Sequence, residues 1–118
     1  MKKITLYHNP KCSKSRETLS IIRAAGIEPT IIEYLIHPLS QNELQELATL
    51  LQCSISSLMR VNDALYSELN LSEENCAEQK RLDALLLYPQ LFNRPIAESE
   101  LGARICRPPE LVLEILPV

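Results

Sequence analysis

Apolar and polar positions along this chain follow two different periods, and the switches between them mark the elements. Lys3 to Tyr7 is a short run with β-branched and aromatic residues that stops at Asn9-Pro10, which predicts a strand ending in a turn. Thr18, Leu19, Ile21, Ile22 and Ala25 then recur at helical spacing, with Ser13 or Ser15 to cap the start and Gly26 where a C-terminal cap belongs. Pro29 to Tyr34, carrying Ile31 and Ile32, predicts a second strand. Strand, helix and strand in such close succession make a βαβ unit with a parallel pair and a right-handed crossover.

The middle of the chain reads as helical. Ser40 and Glu43 form a capping-box pattern ahead of Leu44, Leu47, Ala48 and Leu51 on one helix face. Ser54 to Met59 and Glu78 to Leu87 predict two further helical stretches, the second halted by Pro89. After Pro95 the period returns to two: Ile96-Ala97-Glu98 and Arg104-Ile105-Cys106 flank a turn at Gly102 and predict a hairpin. Pro108-Pro109-Glu110 then opens a last helix, Leu111 to Leu116. The order β-α-β, helices, β-β-α predicts an α/β fold, a single domain over 1–118 whose helical middle, residues 38–90 or so, is an insertion.

Composition narrows the function classes. With 118 residues and 46% hydrophobic side chains the chain suits one domain, and with only 4% aromatics its core must be aliphatic. Stacking platforms for nucleic acid are therefore scarce. Twelve Lys and Arg against fifteen Asp and Glu give a net charge of -3, the wrong sign for binding a nucleic-acid backbone or an anionic membrane. Two glycines are too few for a glycine-rich phosphate cradle. The basic start Met1-Lys2-Lys3 precedes an apolar run of only Ile4 to Tyr7, so no export signal or membrane span is expected, and the expected location is cytoplasmic.

Chemistry concentrates at one place. Cys12 falls in the turn between the first strand and the first helix, where unsatisfied backbone N–H groups favour a thiolate. Lys11, Lys14 and Arg16 add positive charge, and Ser13 and Ser15 add hydroxyls, able to stabilise the sulfur or a bound oxyanion. His8, four residues before Cys12, is placed to tune the thiol or simply to end the strand. Cys53 and Cys76 lack cationic neighbours and read as structural or incidental, and Cys106 adjoins Arg107 alone. No CxxC or CxC pair exists, which argues against a zinc knuckle or a dithiol redox motif, and neither histidine is spaced as a metal ligand. A cysteine-phosphatase loop is excluded, because the sixth position after Cys12 is Thr18 rather than Arg. Arg60, Arg94 and Arg107 each read singly as surface residues, although Arg94-Pro95 precedes a strand where a cis peptide bond often shapes a site.

Taken together, His8-Asn9-Pro10, Cys12 with Ser15-Arg16, Arg60 ahead of Tyr66-x-Glu68-Leu69, Asn93-Arg94-Pro95-Ile96, and Cys106-Arg107-Pro108 with Leu113-Glu114-Ile115-Leu116 resemble the glutaredoxin-linked arsenate reductase family over nearly the whole chain. The resemblance implies a thioredoxin-like core with a helical insertion. It implies Cys12 as the nucleophile, His8 as its assistant, and Arg60, Arg94 and Arg107, with Ser15, as the residues that bind the oxyanion. It further implies a covalent thiolate-arsenate adduct attacked by glutathione, with glutaredoxin resolving the mixed disulfide and no metal or flavin bound.

Two other readings share the fold: a regulatory module that docks on RNA polymerase, and a monothiol oxidoreductase without arsenate specificity. The first usually carries Cys-x-x-Cys, whereas the fourth position here is Ser15. That serine leaves Cys12 without a partner in its own turn and predicts turnover by an external thiol.

Overall fold

The computed structural model describes residues 3–117, so the basic start at Met1 and Lys2 lies outside the described residues. The chain groups into two compact units, 1–37 with 94–118, and 38–93.

The first unit is built on a four-stranded sheet. Strand β1 (Ile4–His8) leads into helix α1 (Ser13–Ala24) and strand β2 (Thr30–Glu33), and the chain returns with β3 (Ile96–Ser99) and β4 (Gly102–Ile105). The strand order is β2-β1-β3-β4, with β1 parallel to β2 and antiparallel to β3, and β3 antiparallel to β4. The βαβ unit and the hairpin form as the alternation predicts, but the hairpin turn falls at Glu100-Leu101: Gly102 already pairs with Ser99, and Cys106 lies just past the strand. On one face Ile4, Leu6 and Ala97 pack with Ile22 of α1, with Val112 and Ile115 of the 3₁₀ helix Pro109–Ile115, and with Ile27 and Cys106. Period two along β1 carries that same face on to His8, which therefore points at α1.

Two ends of α1 differ from expectation in detail. Its N-cap is Cys12 in an extended conformation, and neither Ser13 nor Ser15 caps it, because both already lie within the first turn. At the other end Gly26 adopts φ +80°, with its N–H on the Arg23 carbonyl at 2.9 Å and that of Ile27 on the Ile22 carbonyl at 3.4 Å. That is a Schellman closure, which needs the left-handed residue that glycine supplies. The last helix is 3₁₀ rather than α: Pro108 and Pro109 donate no N–H, and Leu111 bonds back three residues to the Pro108 carbonyl.

The second unit is helical. Helix α2 (Gln41–Leu51) starts at the Ser40–Glu43 capping box, both halves of which form, and buries Leu44, Leu47 and Ala48. Residues read as helical from Ser54 to Met59 form only a 3₁₀ turn, Ile55–Leu58, followed by α3 (Ala64–Glu68), which the sequence did not announce, and α4 (Glu78–Leu87). Asp63 caps α3 through its side chain on the Leu65 N–H. Among the described residues no helix is long and apolar enough to cross a membrane.

Candidate active site

The turn after β1 is held by its own backbone. Asn9 accepts the Cys12 N–H on its carbonyl at 2.9 Å and the Lys11 N–H on Oδ1 at 3.0 Å, which presents Cys12 half-buried at the start of α1. No conventional side-chain cap bond closes the helix there; the sulfur takes the place where a capping oxygen would sit. Partial burial pushes the Cys12 thiol up, but the N–H groups of Ser15 and Lys14, together with the charge and hydrogen bonding of Arg94, outweigh it and bring the thiol below its ordinary value.

The cations expected to do this do not. Arg16 turns away to donate to the Pro10 carbonyl at 2.9 Å, Lys14 reaches Glu17 at 3.6 Å, and Lys11 is exposed. Their charge is spent on the turn or on solvent, and Arg94, distant in sequence, supplies the positive group at the sulfur.

His8 and Ser15 lie beneath the turn. His8 Nδ1 meets Ser15 Oγ at 2.7 Å, and the same Oγ accepts the Asn9 N–H at 3.1 Å. Ser15 is fully buried, so its hydroxyl is engaged inside the turn and its backbone N–H is what it offers the sulfur. Burial lowers the pKa of His8, Glu33 opposing and Arg23 and Arg16 adding to the effect. His8 is thus joined to the turn of Cys12 through Ser15, with burial favouring its neutral form.

Arg94 and Arg107 come side by side. Each precedes a cis proline, Pro95 and Pro108. The Cys106 N–H donates to the Pro95 carbonyl at 2.8 Å and Arg107 Nε donates to the Arg94 carbonyl at 2.6 Å. Arg94 is half-buried, and its Nε is buried without a hydrogen-bond partner. Tyr34, just past β2, is a buried neighbour of the site that sequence reasoning missed: burial raises its phenol, while the nearby Arg94 and Asn9 side chains oppose that rise. The signal was the parallel βαβ pairing itself, which brings the end of β2 level with the turn after β1.

Arg60 belongs to the second unit. Its N–H donates to the Leu91 carbonyl at 2.6 Å, and its guanidinium lies 3.7 Å from Asp63. Cys106 is wholly buried, its thiol pushed up to about 12 chiefly by burial, and burial also raises Cys53. Among the described residues no three His, Cys, Asp or Glu side chains group to hold a metal ion. Beside the turn runs a groove of about 220 Å³ lined by His8 to Lys11, Glu33, Leu35 and Ile36.

Residues 7–115 match the model of the ArsC family. The chain belongs to the ArsC family. It is 48% identical to a protein of Escherichia coli strain K12 named arsenate reductase, over 99% of this chain and 83% of that one. It is 43% identical to the protein of the same strain named uncharacterized protein YfgD, over 98% of each. A solved structure titled arsenate reductase, from Vibrio cholerae, superposes with a TM-score of 0.94 at 42% identity, covering 98% of both chains. The sheet with its helical middle is thus the ArsC form of the thioredoxin-like fold, and the blocks around Cys12, Arg60, Arg94 and Arg107 all lie inside the matched ArsC region.

Proposed function

We propose that this chain is an arsenate reductase, an oxidoreductase that converts arsenate to arsenite with electrons from glutathione and glutaredoxin. The observation that carries the reading is Cys12, a thiolate-favouring cysteine at a helix start with the Arg94 guanidinium beside it. Arsenate is a tetrahedral oxyanion, and a guanidinium fork presents paired donors to two of its oxygens. The Cys12 thiolate attacks arsenic, a sulfur–arsenic bond forms, and one oxygen leaves as water after taking up protons. Arg94 and Arg107 neutralise the remaining oxygens as charge shifts, the role that the family resemblance also implies for Arg60. His8 and Ser15 hold the turn that aims the Ser15 N–H at the sulfur.

Reduction of arsenic from the +5 to the +3 state needs two electrons, and two thiols supply them by becoming one disulfide. Cys12 has Ser15 where a dithiol motif places its second cysteine, which favours external thiols. The reaction so written requires no bound metal or flavin, and a cytoplasmic setting would supply glutathione.

The test is arsenite formation by the purified chain with glutathione, glutaredoxin and arsenate. Arsenite that depends on all three and vanishes in Cys12→Ser supports the reading. Thiol exchange on glutathionylated substrates without arsenite would replace it with a monothiol oxidoreductase.

A further inference from the structure

We infer that Ser15 is a positioning residue of this site, its hydroxyl donating to Nδ1 of a neutral His8 while accepting the Asn9 N–H, so that one buried side chain clamps the turn that carries Cys12. The inference rests on Cys12 as the reactive thiol and not on arsenate as its substrate. Ser15 stands in the first turn of α1 and His8 ends β1, so a bond between them ties helix to strand across the turn. Asn9 extends the hold. Its N–H lies 3.1 Å from Ser15 Oγ, its carbonyl accepts the Cys12 N–H at 2.9 Å, and its Oδ1 accepts the Lys11 N–H at 3.0 Å. Through Asn9 the serine hydroxyl thus fixes the backbone on which the sulfur is mounted.

Burial decides which way the proton between Ser15 and His8 points. Ser15 is 0% exposed and His8 6%, and their Oγ and Nδ1 lie 2.7 Å apart. Among the described residues the hydroxyl has two hydrogen-bond partners, the Asn9 N–H and His8 Nδ1. The Asn9 N–H can only donate, so Nδ1 is the one acceptor open to the serine proton. Were Nδ1 protonated, the oxygen would accept twice and its own proton would be stranded in the interior, an unmade buried hydrogen bond. Nδ1 is therefore the bare nitrogen, and Nε2 carries the ring proton. The surroundings agree: burial disfavours a charged His8, Glu33 across on β2 opposes that, and Arg23 and Arg16 on α1 reinforce it. His8 serves here as an acceptor rather than as a cation beside the thiolate. The single proton of Ser15 is likewise committed to the ring, which leaves none to donate to an oxyanion.

The experiment begins with long-range ¹H–¹⁵N correlation on the wild-type chain at about pH 7.5, above the ordinary histidine value of 6.5. The chain has two histidines, and His37→Gln at the exposed one identifies the signals of His8. His8 should be a single tautomer, Nε2 protonated and Nδ1 bare; an Nδ1–H tautomer or a doubly protonated ring would overturn the proposal. The second readout is the pH profile of Cys12 alkylation, followed by peptide mass spectrometry so that the other cysteines stay in place. In Ser15→Ala and in His8→Leu the Cys12 midpoint should rise by about half a unit, a threefold loss of acidity, and by no more when the two are combined. His8→Asn sets an amide oxygen where Nδ1 stood and can carry no charge, yet it should recover most of the shift seen in His8→Leu. Unchanged midpoints, additive shifts, or no recovery with asparagine would each overturn the proposal. Should these variants fail to fold, the wild-type tautomer decides alone. A chain that shows the tautomer and the shifts but forms no arsenite keeps Ser15 in this role and loses only the arsenate reading.

Discussion

His8 and Cys106 show how burial assigns opposite fates to two polar residues near one turn. The pKa of His8 lies below its ordinary 6.5 in the fold, chiefly through burial, so the unfolded chain binds a proton more readily than the folded one. The stability that a neutral His8 contributes is full above pH 6.5 and is lost as pH falls through the depressed folded value. The melting temperature should therefore fall as pH drops below about 6.5, and His8→Gln should flatten that slope. An identical slope in the variant would place the pH sensitivity elsewhere. Cys106, buried with a thiol pushed up to about 12, is inert by contrast. Cys106→Ser should keep reductase activity with glutathione and glutaredoxin while Cys12→Ser has none; a Cys12–Cys106 disulfide trapped after one turnover, with an inactive Cys106→Ser, would reveal an internal route instead.

At the scale of elements, what was legible depended on whether a local signal determined the structure. The Ser40–Glu43 box and the Gly26 closure were readable because each is completed by residues a few positions apart. Ser40→Ala should lower stability by about 1 kcal/mol, measured by denaturant titration, with helix α2 fraying first. A loss below a few tenths of that would mean that burial of Leu44 and Leu47 holds the helix start without the cap. Helix α3 escaped notice because one turn of five residues offers too few repeats to reveal a period. The last helix was readable as helical but not as 3₁₀, since that choice follows from Pro108-Pro109 and from packing on α1. Cys12 at a helix start was legible too. So were the helix-start N–H groups that lower its pKa most; the cation was not, because Lys11, Lys14 and Arg16 are adjacent in sequence, whereas Arg94 comes to the sulfur through the pairing of β1 with β3.

For the whole molecule, the account requires arginines separated along the chain to act on one anion. Arg94→Lys and Arg107→Lys keep charge and lose the fork, and each should reduce kcat/KM for arsenate by at least about tenfold. Arg107→Lys also gives up the bond from Nε to the Arg94 carbonyl, so its melting point should fall slightly while that of Arg94→Lys stays put. Arg60→Lys tests the oxyanion-binding role that the family resemblance implies for Arg60. Full activity in all three would leave the oxyanion without its binding groups.

The most direct measurement is the rate of Cys12 alkylation followed by peptide mass spectrometry from pH 4 to 10, with and without arsenate. The account predicts a midpoint below the ordinary thiol value of about 8.5, and slower alkylation when arsenate occupies the arginines and the sulfur. A midpoint at or above that value, with rates indifferent to arsenate, would contradict an activated Cys12 thiolate as the centre of this protein's chemistry.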